Sequence, residues 1–119
     1  MIALSLPFPP SANRLWRAVN GRNIKSAVYR VWEAECAGCI LAQRIGRAID
    51  GRYAITIDAD RPDRRKRDLG NLEKAVSDAL VSCGLVRDDS DADEITIRWS
   101  EREPGKGAAV HITLTPRDA

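Results

Sequence analysis

An α+β domain, a mixed sheet with two helices packed on it, is what this sequence predicts, and three observations predict it. The chain has 119 residues and is 44% hydrophobic, which suits one domain with one core. Short segments that alternate apolar and polar residues are interleaved with two segments of helical spacing, in the order β-α-β-α-β-β. No repeat, low-complexity tract or linker divides them, so residues 1–119 read as a single domain.

Residues 1–6 (MIALSL) alternate as a short strand, and PFPP stops it. Residues 11–25, with Asn-Gly at 20–21, read as a turn-rich loop of basic flavour. From about Ser26, a candidate N-cap, the pattern turns helical and runs to about Ala48. Asp50-Gly51 is a turn, and residues 52–60 alternate as a strand with Tyr53, Ile55 and Ile57 on one side. The second helix, from about Asn71 to Cys83, is the best defined. Leu72, Ala75, Val76, Ala79, Leu80 and Cys83 make one apolar face, and Gly84 is the expected stop. Asn71, Lys74 and Asp78 share another sector of that helix, ~60° wide at ~100° per residue. Residues 95–100 and 108–115 alternate as two strands, joined by EPGKG at 103–107 as a candidate C-terminal hairpin.

Several classes are disfavoured. No apolar run approaches the ~20 residues that span a bilayer. MIALSLPFPP has neither the basic region nor the long apolar region of a signal peptide, so a cytoplasmic setting is expected. Three cysteines, an odd number, fit a reducing compartment. Cys36 and Cys39 form a CxxC, but in mid-helix among Ala and Ile, where packing is the reading rather than redox chemistry. A zinc site lacks two further ligands, since His111 is the sole histidine. No Ser-His-Asp order and no phosphate-cradling glycine loop is found, so no nucleotide cofactor is expected.

The net charge of +2 hides a segregation. Residues 1–67 carry 13 Lys or Arg against 6 Asp or Glu, and residues 68–119 carry 6 against 11. Much of the basic charge lies in RPDRRKRDLGNLEK (61–74), where Arg61, Arg64, Arg65, Lys66 and Arg67 run directly into Asp68 and a helix start. The plain reading is a solvated basic loop, with Asp68 favouring the helix N-terminus by ~0.3–1 kcal/mol. The chemical reading is that phosphate is brought to metal-binding acids. Asp88 and Asp89, in the acidic stretch RDDSDADE (87–94), are the other candidates. They meet Asp68 only if that stretch folds back toward the basic loop, which a strand near Ile95 lying beside strand 52–60 would allow. Mg2+ takes one or two carboxylates and keeps several waters. It can polarise a phosphodiester oxygen and activate water, with Lys74 stabilising developing charge and the basic loop holding phosphates.

Three stretches together resemble the RusA-type Holliday junction resolvases: LPFPPSANRLWR (6–17), RPDRRKRDLGNLEKAVSDAL (61–80) and GLVRDDSDADEITIRW (84–99). The resemblance covers most of the chain. It implies a homodimeric endodeoxyribonuclease, dependent on Mg2+ or on Mn2+ in its place, that nicks two strands of a four-way DNA junction symmetrically in recombination and repair. The host would be a bacterium or a prophage. It further implies Asp68, Asp89 and Lys74 as catalytic residues, Asp68, Asp89 and Asp88 as metal ligands, and Arg67 and Asn71 as motif residues beside them. Arg61, Arg64, Arg65, Lys66 and Arg67, with Arg14, Arg17 and Arg22 from the early loop, would grip DNA.

One position departs from the family pattern. Gly70 stands where the family has its second motif acid. Either a reduced ligand set still works, with Asp58, Asp60 or Asp91 as substitutes, or the chain binds junctions and cuts weakly or not at all. A third reading keeps the basic loop for an acidic protein partner. Trp16 is a candidate to stack on an exposed base. Trp32 and Trp99 are expected to pack on core faces, and His111 to be solvent-facing or packed on the sheet.

Overall fold

The computed structural model describes residues 1–11, 16–45 and 48–117. Arg14, one of the expected DNA-gripping residues, lies outside them. The elements are β1 (Ile2–Pro7), β2 (Trp16–Val19), β3 (Arg22–Lys25), α1 (Ala27–Ala42), β4 (Tyr53–Ala59), α2 (Asn71–Ser82), β5 (Ala92–Trp99) and β6 (Ala109–Pro116). The mixed α+β architecture and the order of the main elements are as expected.

The four-stranded sheet has the order β1-β6-β4-β5. β6 runs antiparallel to both β1 and β4, while β5 runs parallel to β4 from Tyr53↔Ala92 to Ala59↔Trp99. The expected C-terminal hairpin is therefore corrected. β5 and β6 are consecutive, but β4 lies between them. The reason is burial: β4 carries Tyr53, Ile55, Ile57 and Ala59, all buried, and gains most as an inner strand flanked on both sides.

Alternation places one face of the sheet on the core. Leu4 and Leu6 from β1, and Val110, Ile112 and Leu114 from β6, join the buried residues of β4, of α1 and of α2 in one cluster. Ser26 caps α1 as its side chain accepts from the Tyr29 amide at 3.1 Å, and Trp32 donates its indole N–H to the Pro7 carbonyl at 2.9 Å. Cys36 is buried on the inner side of α1, and burial pushes its thiol well above the ordinary range, so it packs as an inert apolar group. α1 ends at Ala42, six residues short of the expected Ala48.

Residues 16–25 are a second correction. They form a β2–β3 hairpin rather than a loop. Asn20 and Gly21 both have positive φ, 51° and 76°, as a two-residue type I′ turn requires. The Asn-Gly signal was present in the sequence. The short, exposed strands on either side of it lack the alternation that marks a core strand.

The other face of the sheet is polar. Asp58 is paired with Arg98. His111 is half-buried and bridges Ser5 Oγ (2.8 Å) and Asp60 Oδ2 (3.0 Å). Asp60 is itself buried and accepts from Ser100 Oγ at 2.7 Å, Arg102 Nη1 at 3.1 Å and the Ala109 amide at 3.2 Å. Burial alone would raise its pKa, but the hydrogen bonds from Ser100, His111, Ala109 and Arg102 outweigh burial and hold it well below the carboxylate range. The unfolded carboxyl titrates near ~4, so this stabilisation is full above that pH and is lost as pH falls toward the lower folded value. Asp60→Asn is expected to cost ~1.5–3 kcal/mol at pH 7 and to shrink the difference in urea stability between pH 7 and pH 3. An unchanged difference would mean that other groups carry the acid sensitivity.

Candidate active site

α2 leaves Asn71, Lys74 and Asp78 outside the core while Leu72, Ala75, Val76, Ala79 and Leu80 are buried. Those three side chains form a stripe about 10 Å long at ~1.5 Å per residue. A hollow opens at each end of it. The first, of 320 Å³, is lined by Trp16, Lys25, Asp78, Val81, Ser82, Arg87, Asp88 and Asp89. The second, of 250 Å³, is lined by Phe8, Ser11, Lys66, Arg67, Asp68, Asn71 and Leu72.

The first hollow gathers the acids. After Gly84 the chain turns back, and a single 3-10 turn at Asp89–Asp91 packs against α2. The Asp88 carboxylate caps this turn by accepting from the Ser90 amide at 2.9 Å. That bond, then the Ser90 hydroxyl and Asp89, hold Asp88 below its ordinary pKa. Asp89 goes the other way. The hydrogen bond its protonated form gives Asp88, then burial, then the charges of Asp88 and Asp78, raise its pKa, and Lys74 partly offsets this. Asp78 accepts from the Tyr29 hydroxyl at 3.0 Å, which fixes its carboxylate beside the hollow. Trp16 closes one side, 40% exposed and edge-on to Tyr29 at 5.8 Å. Lys25 sits beside it, paired with Glu33 at 2.9 Å.

The donor set suits a divalent cation. Two carboxylates are crowded so that one keeps its proton more tightly than usual, and a small hard cation relieves that repulsion. The Tyr53 hydroxyl is buried without a hydrogen-bond partner among the described residues. Burial, then the charges of Asp89, Asp91, Glu73 and Asp88, push it up to about 12.

Asp68 faces the second hollow. Its Oδ1 accepts from the Gly70 amide at 3.0 Å and its carbonyl from the Asn71 amide at 3.3 Å, so it organises the start of α2. Among the described residues no three His, Cys, Asp or Glu side chains cluster as a metal site. The structure sets Asp89 beside Asp88 and within electrostatic reach of Asp78 and Lys74, and leaves Asp68 on the hollow at the other end of the stripe. Asp58 and Asp60 are committed to Arg98 and to the His111 network. Gly70 has an ordinary helical backbone, φ −62°, and a Cβ there would meet Asp68 Oδ1 at 3.5 Å, an ordinary contact.

The basic loop is ordered by one acid and two rings. Asp63 accepts from Arg65 Nε at 3.0 Å and Arg67 Nη2 at 2.8 Å. Phe8 and Trp99 stack with centroids 6.4 Å apart. Arg61 lies over Trp99 at 4.4 Å, and Arg67 over Phe8 at 5.7 Å. Trp32 is a core residue as expected, whereas Trp99 is half-buried in this stack. Arg64 makes only an exposed contact to Glu103 at 3.6 Å, and Lys66 is exposed. Arg17 and Arg22 lie on the side of the β2–β3 hairpin opposite Trp16 and Lys25. Sequence reasoning missed Asp78 and Asp63 as site residues and read Lys25 only as part of a basic early loop. The helical spacing of Asp78 with Asn71 and Lys74 was the available signal for the first, whereas Asp63 acts through a local loop geometry.

Carboxylates and a lysine along one helix flank, with an arginine-rich loop at the start of that helix, are groups suited to handling phosphate. Comparison with known proteins is specific. The family described as Endodeoxyribonuclease RusA matches residues 7–115. The chain is 34% identical over 113 residues to the crossover junction endodeoxyribonuclease RusA of Escherichia coli strain K12, covering 95% of this chain and 92% of that one. It is 35% identical over 112 residues to the protein of that name from Enterobacteria phage 82, covering 94% and 92%. For the phage HK97 protein the identity is 31% over 108 residues, covering 91% and 90%. The chain belongs to the RusA endodeoxyribonuclease family, and its expected assignment as a phosphodiester-hydrolysing nuclease is borne out. No helix among the described residues is long and apolar enough to cross a membrane.

Asp88→Asn replaces the carboxylate that accepts the hydrogen bond of protonated Asp89 and removes its charge, the first and third causes of the raised Asp89 pKa. The carboxyl resonance of Asp89, followed by 13C NMR against pH, is expected to titrate lower in that variant, nearer the ordinary ~4. An unmoved titration would assign the shift to Asp78 and burial instead.

Proposed function

We propose that this protein resolves four-way DNA junctions as a homodimer, by divalent-metal-dependent hydrolysis of two symmetrically placed phosphodiester bonds, within a bacterial or phage-infected cell. The observation that carries the reading is the meeting of Asp88, Asp89 and Asp78 with Lys74 at one flank of α2, whose start carries the arginine-rich loop. The substrate is taken from the relatives, which are named crossover junction endodeoxyribonucleases. A two-fold dimer suits a substrate with two equivalent scissile phosphates.

Asp89 and Asp88 would hold Mg2+, or Mn2+ in its place, with Asp68 reaching the same phosphate from the adjoining hollow. When bound, such an ion polarises a phosphodiester oxygen and lowers the pKa of a coordinated water. The side chains do the rest. Lys74 places an ammonium where charge develops on the phosphate in the transition state. Asp78, fixed by Tyr29, lines the same helix flank. Arg64 and Lys66 are the most available of the loop cations for the DNA backbone. Arg61, Arg65 and Arg67 spend part of their bonding on Trp99, Asp63 and Phe8 and would set the loop's shape as well as its charge. Asn71 and the hairpin arginines 17 and 22 would extend the contact, and Trp16 is positioned at the rim of the acid hollow for a base to stack on it.

Gly70 favours a second reading, in which the protein binds junctions and cuts them weakly or not at all. One assay separates the two: a labelled four-way junction and matched duplex, each with Mg2+ and with EDTA. Paired nicks on the junction that need metal support the enzyme, and tight, salt-sensitive binding without nicks supports the binding module. Absence of any preference for DNA overturns both. Lys74→Ala is expected to lower junction nicking by roughly 10²–10³-fold with binding changed little. Gly70→Asp, for which the backbone has room, is expected to nick at least as fast as the parent, and a large loss would remove position 70 from the metal site.

A further inference from the structure

The chain has two tyrosines, and both are fully buried. Burial strips a phenol hydroxyl of water, so it ordinarily finds a partner inside the protein. Tyr29 does, donating to Asp78 at 3.0 Å. Tyr53 does not. Among the described residues its hydroxyl is the one buried side-chain N or O atom with no hydrogen-bond partner. An orphaned donor of this kind costs stability.

Tyr53 opens β4, and its partner on β5 is Ala92, the residue directly after the acidic turn Asp89–Asp91. The next pair is Ala54↔Glu94, so Asp93 is an extra residue in β5, a bulge that bends the strand where the turn joins it. The charges the Tyr53 hydroxyl feels are those of this turn and of the first turn of α2: Asp89 most, then Asp91, Glu73 and Asp88. Each of these carboxylates is an acceptor for a phenol. Glu73 already accepts from Ser77 Oγ at 2.6 Å, and Asp88 from the Ser90 amide at 2.9 Å. Asp89 and Asp91 accept from no amide or hydroxyl among the described residues, and of the two Asp89 weighs more on Tyr53. Burial, and then those four charges, keep the phenol protonated, so it is a donor wherever the carboxylates are ionised.

We propose that Tyr53 is a positioning residue of the nuclease site: its hydroxyl donates to the carboxylate of Asp89 and orients it for the divalent cation. The inference rests on the metal reading above and goes beyond it by naming the residue that aims the ligand. A carboxylate that ligates a metal is itself held by hydrogen bonds from its surroundings, and those partners contribute to metal affinity. Asp88 has such a donor in the Ser90 amide. Asp89 has none within its own turn, and Tyr53 supplies it from β4. The Tyr53 ring is packed in the core, so the reach of its hydroxyl is fixed and the bond selects one orientation of Asp89.

Calorimetric titration of the intact protein with Mn2+, and thermal melting with and without Mn2+, test this on Tyr53→Phe, which keeps the ring and removes only the oxygen. Without metal the variant is expected to melt no lower than the parent, because it loses an unpaired donor. Its Mn2+ affinity is expected to fall roughly tenfold, and the rise in melting temperature at a fixed Mn2+ concentration to shrink with it. Nicking is expected to need roughly tenfold more Mg2+ to reach half its full rate, with the full rate recovered at saturation. A Tyr53→Phe variant that binds Mn2+ as tightly as the parent overturns the role of Tyr53 and leaves the metal reading standing. So does one that melts lower than the parent by the same margin with and without Mn2+, since its hydroxyl would then be bonded in both states. A parent that binds no Mn2+ overturns the metal reading and this inference with it.

Discussion

The parallel pairing of β4 with β5 is the constraint on which the rest of the site depends. Because Tyr53 lies beside Ala92 and Ala59 beside Trp99, the chain leaving β4 at one end of the sheet must return to the other before β5 can begin. α2 makes that return, and its apolar face ties it to the core it crosses. The basic loop is held at the departure end. The acidic turn is laid against the helix on arrival, where Asp89 feels Lys74 and Asp78. A hairpin in place of this crossover would have left the acidic stretch with no helix flank to lie on.

Electrostatics then divides the arginines into two kinds. Some are fixed in place: Arg65 and Arg67 converge on Asp63, and Arg61 and Arg67 cap the Trp99–Phe8 stack. Arg64 and Lys66 stay exposed. A loop so rich in positive charge repels itself, and one carboxylate with two aromatic faces offsets that repulsion enough to give it a shape. The acidic side has the opposite problem. Asp88, Asp89 and Asp78 crowd one another with a single lysine among them, and the raised pKa of Asp89 is the consequence.

The α+β class, the two helices and the core strands were legible in the chain, because alternation and helical spacing record burial directly, while Asp68, Lys74, Asp88 and Asp89 stood out as candidates only through charge and motif. The RusA resemblance was legible too, since ordered motifs survive at moderate identity. The β2–β3 hairpin was half legible: Asn20-Gly21 announced the turn, but four-residue strands exposed throughout leave no pattern of burial. Only the tertiary structure decided that β4 separates β5 from β6, that Asp68 and Asp89 open onto separate hollows, and that Lys25 and Trp16 border the acids. Those outcomes depend on contacts between residues distant in sequence, and local periodicity carries the face a residue occupies but not the partner it meets there.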